Sequence, residues 1–348
     1  MKSTQISAYK VASMANDFCS VSSIDNLCNL LCVNKQGLWK YANQPTYKHF
    51  YISKKAGGYR YVEDPIDGLK KIQRSLNDYL QCAYFVNRTD AAYGYVVSVD
   101  TDPTPRNILT NAQQHTNKNW LLNIDFSDFF HSVKYQQVYN IFHSEPFGFN
   151  AKLCHTLAKL TTFEGRLPMG SPTSPVLSNF ETRELDQNFI AFAKTNDLVY
   201  TRFADDLSFS SHTEITEQMV SLIKKISVAH GFVVNPTKTK LFSPNEEKVV
   251  TGLKVSDHVE LPNGYYQNIQ KEIEKYRNIM EIQYRTGYKN TNWVNKYQQQ
   301  IKGIIEFAGF VLGKKSYEYQ QLVDAYDRAT FPMPDLFESV SWLDFNYQ

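Results

Sequence analysis

Only 5 cysteines occur in the 348 residues, and Cys19, Cys28, Cys32, Cys82 and Cys154 form no paired CxxC arrangement. An odd, scattered set excludes a disulfide framework and a zinc finger, and it fits a reducing cytoplasm. Long hydrophobic runs are also missing. The longest, near Ile304 to Leu312, is interrupted and too short to span a bilayer, so no membrane partner is expected. The amino terminus lacks a secretory signal pattern, and there is no internal repeat or low-complexity linker. Strong charge of one sign is absent too: 37 Lys and Arg face 35 Asp and Glu, for a net charge of +2. That balance excludes an indiscriminate polyanion binder and confines any basic groove to a local patch.

What is abundant is aromatic: 23 Tyr and 22 Phe supply rings for base stacking, although most must serve the core. The length exceeds the usual size of a single core and suits a multi-lobed molecule.

The most informative stretch is Tyr200-Thr201-Arg202-Phe203-Ala204-Asp205-Asp206-Leu207-Ser208-Phe209, where adjacent carboxylates sit between two β-prone flanks. Residues 198 to 203 and 207 to 211 read as strands of a hairpin, with Ala204, Asp205 and Asp206 at its turn. Two acids at a tight turn repel and call for a cation, although a solvated Asp-Asp turn has the same pattern. A further acid, Asp125, follows the apolar run Trp120 to Ile124, which has the length of a buried strand and places the carboxylate at its end. A carboxylate there is costly unless paired or metal-bound. With this strand beside the hairpin, Asp125 and Asp205 can share divalent cations. Mg²⁺ favours such carboxylates together with substrate phosphates. Two ions about 3.5 to 4 Å apart serve in-line phosphoryl displacement, so the chemistry suggested is nucleotidyl transfer.

Between the acids, Gly165 to Phe180 reads as a stiff loop entering a helix: Pro172 and Pro175 restrict the backbone, Gly170 permits close approach, and Ser174 is a candidate cap. Such a loop is more often structural than functional, and its position between the acids favours contact with a nucleotide.

Asp125, the Leu167 to Asn179 loop and the Phe203 to Asp206 turn, in this order, resemble the palm of reverse transcriptases. The resemblance implies an α+β fold of right-hand polymerase architecture, with fingers, an antiparallel palm sheet with helices, and a helical thumb. It implies that Asp125, Asp205 and Asp206 are the catalytic acids. It also implies that Asp125, Asp205, Asp206 and the carbonyl of Phe126 surround two Mg²⁺ ions. Phe130 matches the bulky position that excludes a 2′-hydroxyl, with a core aromatic as the alternative. Two departures stand out: Phe203 replaces the more usual Tyr, and Met169 replaces the usual Gln beside the expected nucleotide pocket. Fidelity or nucleotide affinity is expected to differ while activity survives.

Asn111-Ala112-Gln113-Gln114-His115 resembles the Asn-Ala-x-x-His signature of retron reverse transcriptases, and Val250-Thr251-Gly252 their Val-Thr-Gly element. Asn111 and His115 are thereby expected at the RNA, with His115 either bonding phosphate or packing as a structural histidine. Val250, Thr251 and Gly252 are expected near the primer end, or as a simple turn. Upstream, Lys54-Lys55-Ala56-Gly57-Gly58-Tyr59-Arg60-Tyr61 reads as a basic hairpin turning at Gly57 and Gly58, similar to the fingers hairpin. Lys55, Arg60, Phe130, Met169 and Gly170 are the expected nucleotide-binding residues, Arg60 more firmly placed than either lysine.

Helical spacing continues through 65 to 81 and 216 to 230, and Lys238 and Lys240 lie in a turn where solvation is the stronger reading. Beyond about residue 256, Ile269, Ile273, Tyr276 and Met280 form one stripe and Trp293, Tyr297, Ile301, Ile304 and Ile305 another, both expected in a core. Expected domains are 1–118 as N-terminal helices and fingers, 119–255 as palm with finger elements interleaved near 145–175, and 256–348 as thumb and tail. The tail from Phe331 to Gln348 is expected to pack on the thumb or dock a partner.

The expected protein is therefore an RNA-directed DNA polymerase. The retron resemblance further implies a cognate structured noncoding RNA, priming from the 2′-hydroxyl of an internal guanosine, deoxynucleotides as substrates, and a branched RNA-linked DNA (msDNA). It also implies an effector protein of an antiphage defence system as partner. Too little chain follows the thumb for an RNase H domain, so template removal is expected from a separate host enzyme. The rival readings are another bacterial lineage such as the group II intron type, and an idle RNA-binding scaffold that presents nucleic acid to an effector.

Overall fold

The computed structural model describes residues 6–54, 57–287 and 290–330. Lys55 and the stretch 331–348 therefore lie outside the described residues. The chain divides into two compact units, Met1–Thr251 and Gly252–Gln348.

The first unit opens with helices α1 (Ala8–Cys19), α2 (Ile24–Leu30) and α3 (Lys35–Asn43). Each starts at a capping side chain, Ser7, Ser23 or Asn34, that accepts from a backbone N–H in the first turn. An antiparallel hairpin follows, β1 (Tyr47–Ser53) and β2 (Tyr59–Pro65). Then comes the long helix α4 (Asp67–Asn87), whose Leu69, Leu76 and Leu80 are fully buried. Each such side chain contributes roughly 1.5–3 kcal/mol. The remaining helices of this unit are α5 (Ile108–Gln113), α6 (Phe129–Ser132), α7 (Tyr135–His143), α8 (Ala151–Thr161), α9 (Ser174–Glu181), α10 (Arg183–Thr195) and α11 (Glu217–Ala229).

At the centre stands an antiparallel sheet. Its strand β3 (Trp120–Ser127) lies between β5 (Asp206–Ser211) on one edge and the short β6 (Val233–Val234) and β7 (Lys240–Phe242) on the other. Strand β4 (Val199–Phe203) extends the sheet beyond β5. The strand after Trp120 runs past Asp125 to Ser127, because Phe126 and Ser127 pair with Val234 and Val233. Leu122, Ile124, Leu207 and Phe209 face a common core with Leu185 and Phe189 of α10, where Phe209 stacks on Tyr200 at 4.7 Å. Short β8 (Lys248–Val250) ends the unit, held by Asn123 Nδ2 donating to the Val249 carbonyl at 2.7 Å.

At the loop before α9 the cap differs from expectation. Thr173 is the N-cap, while the Ser174 hydroxyl donates to the Pro168 carbonyl at 2.8 Å and ties the loop to itself.

The second unit carries the β9 (Leu253–Val255) and β10 (Val259–Glu260) pair, then α12 (Tyr265–Thr286), α13 (Thr291–Leu312) and α14 (Tyr317–Thr330). Ile269, Ile273 and Tyr276 meet Ile301, Ile305, Leu322 and Tyr326 in its core. The second stripe needs one correction: Trp293 is 51% exposed and stacks on Tyr297 at 5.3 Å rather than filling the interior. It sits in the first turn of α13, next to the buried Val294.

Candidate active site

The β4–β5 turn and β3 bring three carboxylates together. Asp125 is the direct cross-strand partner of Asp206, so their side chains leave the same face of the sheet. Asp205 sits in the turn, and its carbonyl accepts the Phe126 N–H at 3.0 Å, which locks the turn to β3. Ala204 takes a positive φ of 59° to close it. Burial raises the Asp205 carboxyl above its ordinary range, and the nearby Asp125 charge adds to this. Burial likewise pushes Asp206 up to about 7, with the Asp205 and Asp125 charges behind it. Solvent still reaches Asp206, and the cluster holds more negative charge than its surroundings offset.

One cation partly answers this. Lys238 Nζ bonds Asp125 Oδ1 at 2.6 Å, drawn there because Asn235 folds an Asx turn and donates its N–H to the Asp125 carbonyl at 2.7 Å. Lys240, the other candidate in that turn, lies over the Phe242 ring instead.

The residues expected at the nucleotide sit on α6, on β2 and in the loop before α9. Phe130 is buried on α6, with its ring 6.1 Å from Tyr95 and 5.5 Å from Phe129. Arg60 on β2 is exposed, and its charge lowers the proton affinity of Asp205 and Tyr95. Met169 is half-buried; its backbone is stapled to β2, with Glu63 N–H donating to the Met169 carbonyl at 2.7 Å. Gly170, at φ +123°, lets this loop close on the hairpin: a Cβ there would sit 2.8 Å from Val62 Cγ1 and 2.9 Å from the Glu63 carbonyl. Glu63 is itself held by Arg166 at 2.8 and 3.0 Å and by His131 at 3.2 Å. Phe126 keeps its ring in the core against Phe129 and Phe232.

Of the two alternatives for His115, the structure shows the packed one. The residue is 1% exposed, and its ring nitrogens meet Ser210 Oγ and Thr201 Oγ1, each at 2.7 Å. It is a cross-brace under the β4–β5 hairpin, with no ring nitrogen left for phosphate. Asn111 is equally buried on α5, so neither residue is reachable from solvent in this conformation. Val250 is fully buried, while Thr251 and Gly252 take positive φ values and Thr251 Oγ1 donates to the Ile108 carbonyl at 3.3 Å. This element is a turn docked on α5.

Three contributors take their place only through folding. Lys238 is one. Gly94 is another: its backbone lies so close to the acid-bearing turn that a Cβ would fall 2.6 Å from the Ala204 nitrogen. The third is Arg202, buried behind the turn, where Nη1 donates to the Ala204 carbonyl at 3.1 Å and to Asn179 Oδ1 at 3.0 Å. Asn179 in turn donates to the Gly94 carbonyl at 2.9 Å.

The sequence pattern of the family described as reverse transcriptase (RNA-dependent DNA polymerase) matches residues 52–256, more than half of the chain and all of this site. The chain belongs to that family. Retron Ec73 reverse transcriptase of Escherichia coli is 32% identical over 225 residues, which cover 60% of this chain and 68% of that protein. Retron Ec86 reverse transcriptase of Escherichia coli is 34% identical over 175 residues, covering 48% and 52% respectively. Retron Mx65 reverse transcriptase of Myxococcus xanthus is 30% identical over 230 residues, covering 60% and 51%. The chain thus spans about half the length of the latter two proteins. Within the family it is of the retron-type bacterial kind, and its central sheet is the palm of the right-hand polymerase fold.

Reverse transcriptases generally depend on a divalent metal, and the palm donors fit one. Three carboxylates offer only hard oxygen ligands, their mutual repulsion raises Asp205 and Asp206, and a lysine ammonium already occupies a cation's place on Asp125. Among the described residues, no group of three or more His, Cys, Asp or Glu is gathered tightly enough to enclose an ion by protein ligands alone. No helix among the described residues is long and apolar enough to cross a membrane.

Proposed function

We propose that the protein is an RNA-directed DNA polymerase that copies a cognate structured noncoding RNA into DNA from deoxynucleotides. The observation that carries this reading is the Asp125–Asp206 cross-strand pair with Asp205 in the adjoining turn. Asp125 and Asp205, with the Phe126 carbonyl, would hold Mg²⁺ there, and Asp206 adds the third acid. A pair of such ions, when bound, supplies positive charge to the attacking primer oxygen and to the leaving pyrophosphate oxygens. Arg60 adds positive charge on the fingers side of the acids, suited to a triphosphate. Phe130 closes the floor of the pocket where the sugar lies, and the Met169–Gly170 backbone forms a wall fixed to β2. Lys238 neutralises Asp125 until a metal and nucleotide arrive.

The retron relatives support a finer form of the reading: priming from a 2′-hydroxyl of the RNA, a branched RNA-linked DNA product, and an effector protein as partner in antiphage defence. We place the fingers in the first 118 residues, the palm in 119–255 and the thumb in the helices beyond 256, with cytoplasm as the compartment.

The test is Mg²⁺-dependent primer extension on an RNA template, with Asp205→Asn alongside. Extension in the wild type and none in the variant is the expected result; equal extension in both sinks the mechanism. DNA joined to RNA through a 2′ linkage, isolated with the protein and released by debranching, tests the retron-specific part.

A further inference from the structure

Glu63, near the end of β2, is only 1% exposed and yet carries a carboxylate. A buried charge of this kind is costly unless donors surround it. The donors come from two other segments of the chain. Arg166 gives two in parallel, Nη1 to Oε2 at 2.8 Å and Nη2 to Oε1 at 3.0 Å. The Met169 N–H reaches Oε2 at 3.4 Å, and the Glu63 N–H returns a bond to the Met169 carbonyl at 2.7 Å, so these two residues are tied in both directions. From α6, His131 Nε2 lies 3.2 Å from the same Oε2.

The two donor segments behave as one piece. Helix α6 is a single turn of 4 residues, too short to hold its own orientation. The stretch after it is zipped to the loop before α9: Leu167 N–H donates to the Val133 carbonyl at 3.0 Å and Tyr135 N–H to the Gly165 carbonyl at 2.9 Å. Phe130 stands next to His131 in that turn, and Met169 and Gly170 follow Arg166 in that loop. The Phe130 ring lies 6.1 Å from Tyr95, whose hydroxyl is raised by burial and then by the Asp205 charge, so Tyr95 is within reach of the acids. Glu63 is thus the point where the strand that carries Arg60 is joined to both the Phe130 turn and the Met169–Gly170 loop.

An apolar junction of similar volume would hold the fold as well or better. What the carboxylate adds is direction. A planar fork, a ring nitrogen and a backbone N–H converge on two oxygens, which admits one relative placement of strand, turn and loop.

We propose that Glu63 is a positioning residue for sugar selection: by holding His131, Arg166 and the Met169 N–H at once, it sets the spacing between Phe130 and the Met169–Gly170 wall and so the fit of the pocket to a deoxyribose. The inference rests on the polymerase reading for its substrate and deepens it. Glu63 touches no nucleotide; it acts through the residues it holds.

The experiment compares wild type with Glu63→Gln, His131→Leu and Asp64→Asn. Glu63→Gln keeps the shape and removes the charge, and His131→Leu cuts the tie to α6 while the Glu63–Arg166 fork remains. Asp64→Asn is the control, since Asp64 neighbours Glu63 on β2 but pairs with Lys70 at 2.7 Å instead. Affinities for dATP and ATP are read from complexes that resist a heparin trap on a dideoxy-terminated primer annealed to RNA, which cannot turn over. Single-nucleotide extension then gives KM and kcat for each nucleotide, and thermal melting reports stability.

The preference for dATP over ATP should fall on the order of tenfold in Glu63→Gln and in His131→Leu, the change lying in the ratio of KM values, and stay at the wild-type value in Asp64→Asn. A lower melting temperature with an unchanged preference in both variants overturns the proposal, because it assigns Glu63 to stability alone. An equal loss of preference in Asp64→Asn overturns it as well. Should Glu63→Gln fail to fold, the half-exposed His131→Leu decides by the same ratio. Trapping needs no turnover, so a wild type that prefers dATP and fails to extend refutes the polymerase reading and leaves the role of Glu63 standing. A wild type that extends with no preference between the two sugars does the reverse.

Discussion

Arg202 and Asp186 are joined by two parallel bonds, Nε to Oδ1 at 2.8 Å and Nη2 to Oδ2 at 2.7 Å, with neither side chain exposed to solvent. Tyr200 and Thr89 hydroxyls donate to the same carboxylate at 2.8 and 2.9 Å, so every lone pair aimed at the core finds a donor. The free edge of the guanidinium then reaches the Ala204 carbonyl in the turn that carries Asp205. A buried ion pair seldom adds net stability over an apolar pair; its use here is to fix one turn geometry.

Removing one partner leaves the other charged and buried. Asp186→Asn should therefore cost about 3–5 kcal/mol. Arg202→Lys keeps the charge yet loses the fork and should also be destabilised. Guanidinium denaturation followed by circular dichroism checks both; a change under about 1 kcal/mol in either variant means the pair is not a keystone of the palm.

His115 links stability to pH. Burial pushes its ring down to about 3, the Lys118 charge adding to this, whereas the unfolded chain protonates it near its ordinary value of about 6.5. Between those values the unfolded state binds the extra proton, so stability is lost as pH falls below about 6.5. At pH 5.5 the loss is about 1.4 kcal/mol. His115→Gln lacks this term, so its stability deficit relative to wild type should shrink by that amount from pH 7.5 to 5.5. Urea midpoints at the two pH values decide; a constant deficit refutes a buried neutral imidazole.

Gly94 has no room for a methyl group. Gly94→Ala drives Cβ against the Ala204 nitrogen at 2.6 Å, and backbone rather than a flexible side chain must yield. A shift of about 1 Å at reacting groups costs on the order of 100-fold in rate. Primer extension should drop by that order while the far-ultraviolet spectrum stays native. Wild-type extension would show that the turn tolerates the displacement.

The acids were legible in the sequence because the chemistry compresses into short spacing: Asp205 and Asp206 are adjacent, and Asp125 ends an apolar strand. The glycine-proline loop was legible for the same reason. What stayed hidden depends on pairing between distant segments. Lys238 reaches Asp125 across 113 positions because β6 docks on β3, and nothing near Lys238 distinguishes it from Lys240. His115 stayed open between RNA contact and packing because its partners, Ser210 and Thr201, are 95 and 86 positions away on strands that only folding brings beneath it. Trp293 looked like core because helical spacing marks a face without saying how deeply each position on it is covered.

Phe130 offers the sharpest test of substrate choice. Its ring is buried between Phe129 and Tyr95, five positions after Asp125 along β3 and α6. A side chain of that bulk beneath the sugar rejects a 2′-hydroxyl by shape, a discrimination that a smaller residue relaxes. Phe130→Val keeps an apolar β-branched filler and limits the cavity, whereas alanine adds a stability cost of about 3–5 kcal/mol. In the valine variant the ratio of ribonucleotide to deoxynucleotide incorporation should rise roughly tenfold or more, with deoxynucleotide extension retained. Single-nucleotide extension with matched pairs of substrates measures the ratio. An unchanged ratio with intact extension assigns Phe130 to the core and moves sugar selection to another residue.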